Sequence, residues 1–328
     1  MKALIVCHAG AKFGLGHLTR SLVAARALQD ELGIDVQLLI QGEALLRPDL
    51  QAFAHYFLGV EEDLLAAIRQ HVAATNSRVL IFDLYPTLVP EHIDEILMEL
   101  RQGGSKLISI DCLVGDQANL DLVFVPSFRA PPLQALSGSA PILFGWDCFL
   151  LNVKCAPKDW TPGRRVLALT GGSDTTGIAN RLPTLLNDVL TRDAELDWVT
   201  GPYAQEPILP ASPRIQITNH RSPSGLDDLM VRTNYALTVY GVSFFELLYY
   251  GVPTVVFSPY GDKDDLELSE IASEGVALVA RNEADAVEQL KILMADDGLA
   301  ASLSQRARQR MSVLGGHKFA QAAAVLLT

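Results

Sequence analysis

The sequence predicts an α/β protein made of two doubly wound domains in tandem. Short apolar runs alternate with stretches of helical periodicity, and a proline-rich segment interrupts this alternation near the middle of the chain. The chain of 328 residues is also longer than an ordinary domain with one hydrophobic core. Because strands separated by helices pair in parallel, we expect each domain to hold a parallel sheet with helices on both faces.

The first half contains five predicted strands, each a short apolar run followed by a polar or glycine-rich turn. They cover Ala3 to Cys7, Val36 to Ile40, Val79 to Phe82, Leu107 to Ile110 and Leu122 to Val125. Helical periodicity predicts two helices between them. One runs from Leu18 to Leu32 and is followed by Gly33 in the position of a left-handed cap, and the other runs from Glu91 to Gln102.

A change of composition separates the two halves. Between Ala130 and Gly163 the chain contains five prolines and the tripeptide Ser137-Gly138-Ser139, which is typical of a linker. We therefore expect one domain to cover residues 1–155 and the other residues 156–328.

The second half repeats the pattern of the first. Strands are predicted at Arg165 to Leu169, Asp197 to Thr200, Tyr235 to Val239 and Thr254 to Phe257, and helices from Gly172 to about Leu190, at Phe244 to Tyr250 and at Asp264 to Glu274. The tail Phe319 to Leu327 is expected to be a helix that docks on a domain. Open parallel sheets bind ligands beyond the carboxyl ends of their strands, so two facing sheets would enclose a cleft.

Charge and cysteine usage exclude several classes of partner. The 26 Lys and Arg against 38 Asp and Glu give a net charge of −12 without a basic run, which argues against a nucleic-acid partner. The apolar start is too short for a signal peptide or a membrane span, so we expect no integral membrane segment. The four cysteines show neither a C-x-x-C pair nor zinc spacing, which favours a reducing cytoplasm and no metal site.

The first predicted helix begins in a glycine motif, Gly14-Leu15-Gly16-His17-Leu18-Thr19-Arg20. Glycines let a backbone approach a ligand, and the free N–H groups of a helix start favour an anion. A dinucleotide fingerprint would need a third glycine where Thr19 stands, and a phosphate loop would need Lys-Ser or Lys-Thr after Gly16. The glycines alone therefore do not name the ligand.

His17 is the candidate general base of this motif. A histidine at a helix start on the ligand edge of a sheet can take a proton from a reacting group. The alternative is that His17 only packs or caps the helix. Its position directly behind Gly14-x-Gly16 favours the catalytic interpretation.

The stretch Gly14 to Ala24 resembles the UDP-sugar hydrolases of pseudaminic acid biosynthesis (PseG-like) and, more distantly, the MurG-type N-acetylglucosaminyl transferases that make lipid II. Both families have the GT-B fold, in which two Rossmann-like domains hold a nucleotide sugar in the cleft between them. The resemblance implies that His17 is the base and that Gly14, Gly16 and Arg20 belong to the substrate site.

Three later segments extend the resemblance. Asp83-Leu84-Tyr85 matches an Asp-x-Tyr segment whose tyrosine lines the sugar site, and Gly171-Gly172-Ser173-Asp174 resembles the turn that these proteins place near the pyrophosphate. Gly241-Val242-Ser243-Phe244-Phe245-Glu246 resembles the helix start that holds the nucleoside, which implies that Glu246 binds ribose hydroxyls. Read without the resemblance, the glycines are common at strand-to-helix turns, and Ser243 with Glu246 fits a capping box.

Other segments depart from the two families. Asp111-Cys112 replaces an Asp-Asp pair of the hydrolases, and Leu150 to Lys154 replaces their Leu-Arg-x-Glu-Phe stretch. Gly261 to Asp265 replaces a Gln-rich segment of the transferase, so the resemblance does not identify the sugar. Within Gly261 to Asp265, Asp262-Lys263-Asp264 fits a D-x-D metal-binding pattern. We expect these residues instead to be solvated acids at a helix start.

We expect two further residues near the site to be structural. Cys112 has no histidine near it in the sequence, which favours a buried, inert thiol. His8, at the end of the first strand, is expected to pack.

The sequence thus predicts an enzyme that cleaves the anomeric C–O bond of a nucleotide-diphospho-sugar of the UDP type without a metal or another cofactor. His17 would be the base and Tyr85 would orient the sugar, with catalysis in the first domain and nucleotide binding in the second. A hydrolase is the first hypothesis, and an inverting glycosyltransferase with a glycan or lipid-linked acceptor is the alternative. A non-catalytic nucleotide-sugar-binding protein and a nicotinamide-dependent enzyme are the remaining hypotheses.

Overall fold

Two separate parallel sheets organise the chain in the computed structural model, which describes residues 1–10, 14–131 and 140–327. Each sheet belongs to one of two units defined by internal contacts. The first unit combines Met1–Asn152 with Val313–Thr328, and the second is Val153–Ser312. The division therefore falls at Asn152, and the end of the chain returns to the first unit.

The first unit contains a seven-stranded sheet in the order β3-β2-β1-β4-β5-β6-β7, and every strand pair described in it is parallel. The strands are β1 Lys2–Ala9, β2 Asp35–Gly42, β3 Ala54–Leu58, β4 Val79–Asp83, β5 Lys106–Ile110, β6 Leu122–Phe124 and β7 Ile142–Leu143. The helices are α1 Gly16–Leu32, α2 Leu64–Thr75, α3 Ile93–Gln102 and, at the end of the chain, α10 Gly315–Leu327.

The C-terminal helix α10 docks on the first unit, as the apolar tail predicts. Phe319 is fully buried, and its ring meets the ring of Phe124 edge-on at 5.1 Å. Gly315 begins this helix against the backbone of residues 148–149, where a Cβ atom would lie 2.5 Å from the carbonyl carbon of Cys148. A glycine is therefore needed at this point for the tail to reach its place.

The second unit contains a six-stranded parallel sheet in the order β10-β9-β8-β11-β12-β13. Its strands are β8 Arg165–Leu169, β9 Glu195–Thr200, β10 Gln216–Arg221, β11 Tyr235–Val239, β12 Thr254–Phe257 and β13 Leu278–Val279. Its helices are α4 Leu182–Val189, α5 Asp227–Arg232, α6 Val242–Tyr250, α7 Asp265–Glu274, α8 Glu283–Ala295 and α9 Asp297–Arg310.

The predicted fold class of two doubly wound α/β domains is confirmed, and every predicted strand is present to within a few residues. Gly33 caps α1 with a φ of 64°, as expected for a left-handed cap. The helix predicted after Gly172 begins only at Leu182, because a turn and a short 3-10 helix at Ile178–Asn180 come first. The tripeptide Ser137-Gly138-Ser139 of the predicted linker lies outside the described residues.

The register of the first sheet brings the polar residues of the site together. β1 is buried from Ala3 onward. Near its end, Cys7 pairs with Asp83 of β4 and His8 pairs with Gln41 of β2. These pairs lie at the carboxyl ends of their strands, the edge where such sheets bind ligands. Among the described residues, no helix has the length and apolar character needed to cross a membrane.

Candidate functional site

The glycine motif forms a closed turn between β1 and α1. Gly10 and Gly14 exchange two backbone hydrogen bonds, with N···O distances of 3.2 and 2.8 Å, and Gly14 adopts a φ of 74° that favours glycine. Helix α1 begins at Gly16, and among the described residues no side chain caps its first turn. His17 and Arg20 are therefore presented from the first two turns of α1 at the carboxyl edge of the sheet.

His17 is hydrogen-bonded to a buried carboxylate. Its Nδ1 lies 2.6 Å from Oδ1 of Asp83, the last residue of β4. The side chain of Asp83 is fully buried, whereas that of His17 keeps 14% of its surface exposed. The sequence motifs containing these two residues, 66 positions apart, thus meet in one pair.

Arg20, in the next turn of α1, binds the same carboxylate. Its Nε donates to Oδ2 of Asp83 at 2.8 Å and its Nη2 donates to Oδ1 at 2.6 Å, which is the bidentate arrangement that guanidinium and carboxylate groups favour. The hydroxyl of Ser21 also donates to Oδ2, at 3.2 Å. With the His17 bond, Asp83 accepts four hydrogen bonds, so both of its oxygens are satisfied inside the protein.

These bonds determine which nitrogen of His17 carries the proton. Nη2 of Arg20 lies 3.1 Å from Nδ1 of His17, but it can only donate. Both groups satisfy the geometry when each donates to Oδ1 of Asp83. In the neutral ring, the proton then lies on Nδ1 of His17, and Nε2 carries the lone pair that a general base needs.

The charges around Asp83 keep it ionised. Burial by itself raises the pKa of Asp83, but the Arg20 guanidinium and the His17 hydrogen bond outweigh burial, so the pKa lies below the ordinary aspartate value. Burial lowers the pKa of Arg20, and Asp83 with Asp111 raises it above its ordinary value despite that burial. Asp83 and Arg20 therefore form an ion pair in which each charge stabilises the other.

Asp111 completes the cluster, although sequence reasoning did not select it. It follows β5 directly, and Nη1 of Arg20 donates to its Oδ2 at 2.9 Å. Its φ of 57° is unusual for a residue with a side chain, and Leu113 nearby has a φ of 53°. The sequence signals for it were its place after a strand on the ligand edge and its position where the hydrolases have an Asp-Asp pair. The guanidinium of Arg20 is thus shared between two carboxylates, those of Asp83 and Asp111.

Tyr85 lies beside His17. The two rings meet edge-on, with centroids 5.7 Å apart and planes at 74°. The backbone N–H of Tyr85 donates to Nδ1 of His8 at 2.8 Å. His8 is fully buried, as expected from its position in β1, but this bond also ties it to the site.

Cys112 has the structural role predicted for it. It is buried, its thiol donates to the carbonyl of Phe82 at 3.2 Å, and the sulfur accepts from the Leu84 amide at 3.4 Å. Burial raises the pKa of this thiol to about 12, so it stays protonated at neutral pH.

In the second unit, the glycine turn after β8 lies against the loop that follows β9. Gly171 has a φ of 88°, and the carbonyl of Gly172 accepts from the Tyr203 amide at 3.0 Å. A Cβ atom on Gly201 would lie 2.4 Å from that same carbonyl oxygen, so two backbone segments are in direct contact. Ser173 follows in the same turn and is half-buried.

Asp174 caps the short helix that follows the turn. Its Oδ1 accepts from the Ile178 amide at 3.0 Å and its Oδ2 from the Ala179 amide at 2.9 Å. Burial raises the pKa of Asp174, and these two bonds offset part of that increase. Both of its carboxylate oxygens thus bond to the chain itself, so Asp174 shapes the turn from within.

Helix α6 does not begin with the capping box that its sequence allows. Its N-cap is Gly241, which has no side chain to bond the first N–H groups of the helix. The capping-box interpretation of Ser243 and Glu246 is therefore wrong, because both residues lie inside the helix rather than around its cap. The Glu246 side chain is buried, with 8% of the residue exposed. Since β8 and β11 are neighbours, the glycine turn and the start of α6 lie on the same edge of the sheet.

The Asp262-Lys263-Asp264 segment forms a 3-10 turn before α7. Oδ2 of Asp264 accepts from the Ser258 hydroxyl at 2.5 Å, and Nζ of Lys263 lies 5.3 Å from the ring centre of Tyr260. Over residues 1–10, 14–131 and 140–327, no cluster of three or more His, Cys, Asp or Glu side chains has the arrangement of a metal site.

Comparison with known proteins identifies the fold but no close relative. No protein-family model and no curated protein sequence matches the chain. Solved structures match it over nearly its whole length. Phytolacca americana UGT2 complexed with UDP-2-fluoro-glucose and pterostilbene is 14% identical, with 99% of each chain covered and a TM-score of 0.68. MurG of Acinetobacter baumannii is 14% identical, with full coverage of both chains and a TM-score of 0.66. The spinosyn rhamnosyltransferase SpnG complexed with thymidine diphosphate is 14% identical, with full coverage and a TM-score of 0.61.

The fold is GT-B. Within it, the structure brings His17, Arg20, Asp83 and Tyr85 into one cluster in the first unit, with Gly14 and Gly16 in the adjoining turn. The remaining predicted residues lie at one sheet edge of the second unit, in the turn 171–174, at the N-cap of α6 and in its first two turns.

Proposed function

We propose that this GT-B chain is a glycosyltransferase that takes the sugar of a nucleotide-diphospho-sugar and passes it to an acceptor hydroxyl. The observation that carries this proposal is the hydrogen bond between His17 and the buried Asp83 at the ligand edge of the first sheet. A histidine whose Nδ1 proton is held by a buried carboxylate presents Nε2 as a proton acceptor in a fixed orientation.

In the reaction, the acceptor oxygen attacks the anomeric carbon while the bond from that carbon to the diphosphate oxygen breaks. The acceptor proton moves to Nε2 of His17, and the bonding pair leaves with the nucleoside diphosphate. Attack from the face opposite the leaving group inverts the anomeric centre. Asp83 stabilises the imidazolium that forms, and Arg20 keeps Asp83 charged throughout. Tyr85, edge-on to His17, orients the sugar.

The second unit would bind the nucleotide. Backbone N–H groups in the turn 171–173 and at the start of the nine-residue helix α6 suit a diphosphate, because helix starts and glycine turns attract anions. Glu246, buried in the second turn of α6, would bind the ribose hydroxyls. The chain carries a net charge of −12, so these local donors have to bind the diphosphate against the overall field.

The structural neighbours favour transfer over hydrolysis. SpnG is named as a rhamnosyltransferase, and Phytolacca americana UGT2 is complexed with UDP-2-fluoro-glucose and pterostilbene. Hydrolysis of a UDP-sugar is the second candidate, because the segment Gly14 to Ala24 resembles the hydrolases of pseudaminic acid biosynthesis. Water would then take the place of the acceptor, and His17 would play the same part.

A nucleotide-release assay tests the proposal. The protein is incubated with UDP-, TDP-, GDP- and CMP-sugars, each with and without a cell extract that supplies glycan and lipid-linked acceptors. Nucleotide release that requires the extract supports transfer, and release in buffer alone supports the hydrolase. No release from any donor under either condition would contradict both.

A further inference from the structure

His8 and Gln41 form a hydrogen-bonded pair inside the first unit, next to the site. His8 is fully buried near the end of β1, and it lies opposite Gln41 in the register of β1 with β2. Nε2 of His8 lies 3.1 Å from Oε1 of Gln41. On the other side of the ring, Nδ1 lies 2.8 Å from the backbone nitrogen of Tyr85.

The partners allow only one arrangement of protons. The amide of Tyr85 can only donate, so Nδ1 of His8 has to accept and the ring proton has to lie on Nε2. Nε2 then donates to Oε1 of Gln41. The Nε2 amide group of Gln41 in turn faces three carbonyl oxygens, those of Gly59 at 3.2 Å, Val60 at 3.2 Å and Glu62 at 3.0 Å. Each group in this series of hydrogen bonds therefore has one possible role as donor or acceptor.

We propose that His8 and Gln41 are positioning residues, which hold Tyr85 beside His17 at one end and the turn 59–62 at the other. The inference rests on the proposed function, since it assigns these residues to the same site. Residues at or next to both held segments line one cavity of about 270 Å³. Gln41, Val60 and residues 62–65 contribute to its lining, and so does Leu88, whose amide donates to the Tyr85 carbonyl at 2.9 Å.

The arrangement requires a neutral His8. A proton on Nδ1 would face the Tyr85 N–H, so the two donors would repel each other and Tyr85 would lose its anchor. Burial lowers the pKa of His8, and His17 on α1 lowers it further, while the Gln41 hydrogen bond and Asp83 on β4 act in the opposite direction. The net effect favours the neutral ring that the hydrogen bonds need.

Two substitutions separate the two ends of this chain of bonds. His8→Asn places a carboxamide oxygen near the position of Nδ1, so it keeps an acceptor for Tyr85 but loses the bond to Gln41. His8→Gln places an amide nitrogen near the position of Nε2, so it keeps the bond to Gln41 but leaves the Tyr85 amide without its acceptor. His71→Gln in α2, a histidine of the same unit whose Nδ1 faces the Ala67 carbonyl, is the matched control.

We expect His8→Gln to lower kcat about 10- to 100-fold with little change in the KM for the donor, because small displacements of positioned groups are costly. His8→Asn should lower kcat less than His8→Gln does, because it keeps the acceptor for Tyr85, and the control His71→Gln should keep kcat within about threefold of the wild type. A structural role alone predicts that both His8 variants lose stability and activity together. Equal losses in the two variants, or a larger loss in His8→Asn, would overturn the proposal.

A measurement on the wild-type protein tests the same inference without activity. Side-chain 15N spectra should report His8 as the neutral tautomer with its proton on Nε2, and the amide proton of Tyr85 should exchange slowly with solvent in the wild type and faster in His8→Gln. A protonated His8 at pH 7, or a proton on Nδ1, would overturn it. If the wild type releases no nucleotide while these signatures are present, the proposed function fails and the hydrogen-bond assignment stands.

Discussion

Nδ1 of His17 lies 2.6 Å from Oδ1 of Asp83, and this hydrogen bond fixes the imidazole with its second nitrogen directed away from the carboxylate. The pair joins the first turn of α1, the helix that follows β1, to the last residue of β4, the strand next to β1 in the sheet. Both the tautomer of the neutral His17 ring and the direction of its Nε2 thus follow from packing within one unit.

Asp83→Asn should abolish most of the activity. The amide can donate to Nδ1 and so favours the tautomer with its proton on the wrong nitrogen, which costs about 10⁴-fold in kcat where such a pair has been altered. Turnover of a UDP-sugar and calorimetric UDP binding are measured together. We expect kcat to fall about 10³- to 10⁴-fold while UDP binding is unchanged.

Asp121→Asn is the control for that substitution. Asp121 also lies at an end of the first sheet, but its carboxylate accepts from the Leu107 amide and has no contact with His17. Its turnover should stay within about twofold of the wild type, since its bond is structural. Comparable losses in the two variants would remove the evidence that Asp83 acts through His17.

Arg20→Ala should destabilise the fold strongly. It removes the partner of a fully buried carboxylate, and breaking a buried pair in this way costs about 3–5 kcal/mol. Arg69→Ala, which removes an exposed ion pair with Glu99, should cost at most about 1 kcal/mol. Urea unfolding of both variants checks the difference, and equal free energies of unfolding would show that the Asp83 cluster is not a buried ion pair.

Asp83 should make the protein sensitive to acid. Its pKa is lower in the folded state than in the unfolded chain, so the unfolded state binds the proton first as the pH falls. The stabilisation is complete above the ordinary aspartate pKa of about 3.9 and is lost as the pH falls through the lower folded value. Thermal unfolding between pH 3 and pH 6 should show this loss, and an unchanged midpoint on acidification would contradict the assignment.

Gly172→Ala should weaken nucleotide binding without unfolding the protein. A Cβ atom there meets no other atom within 4 Å, so the free energy of unfolding should change by no more than about 0.5 kcal/mol. A methyl group on a turn that approaches a diphosphate would nevertheless obstruct the ligand. UDP affinity measured by calorimetry should fall at least tenfold, and unchanged affinity would exclude this turn from the nucleotide site.

Gly201→Ala provides the structural comparison for the same turn. Its Cβ atom would lie 2.4 Å from the Gly172 carbonyl oxygen, so the backbone has to move. We expect a loss of about 1–3 kcal/mol in stability, as for other overpacked positions. Destabilisation by Gly201→Ala together with a stable Gly172→Ala would separate the shape of the turn from its contact with ligand.

The sequence predicts the strands of the fold well where burial makes them apolar, as in β1 and β4. It does not predict β3, Ala54–Leu58, or β10, Gln216–Arg221, because these edge strands are partly exposed, and β10 is mostly polar. Periodicity reports the burial of a strand, and an edge strand is buried only in part.

The candidate site could be predicted in part for a similar reason. His17, Asp83 and Tyr85 stand in local motifs, so each could be chosen from its neighbours in sequence. Asp111 and the pair of His8 with Gln41 could not, since their roles depend on strand register and on contacts across 33 to 91 positions. The N-cap of α6 is Gly241, so the capping box that the local sequence allowed at Ser243 is not formed.

The central claim is that His17 takes the proton from the incoming oxygen, and turnover by His17→Gln tests it most directly. Nucleotide release from the best UDP-sugar is compared with UDP binding by calorimetry in the wild type and in this variant. The account predicts that kcat falls at least about 10²-fold, the lower range for a general base, while the Kd for UDP is unchanged. Turnover equal to that of the wild type would contradict it.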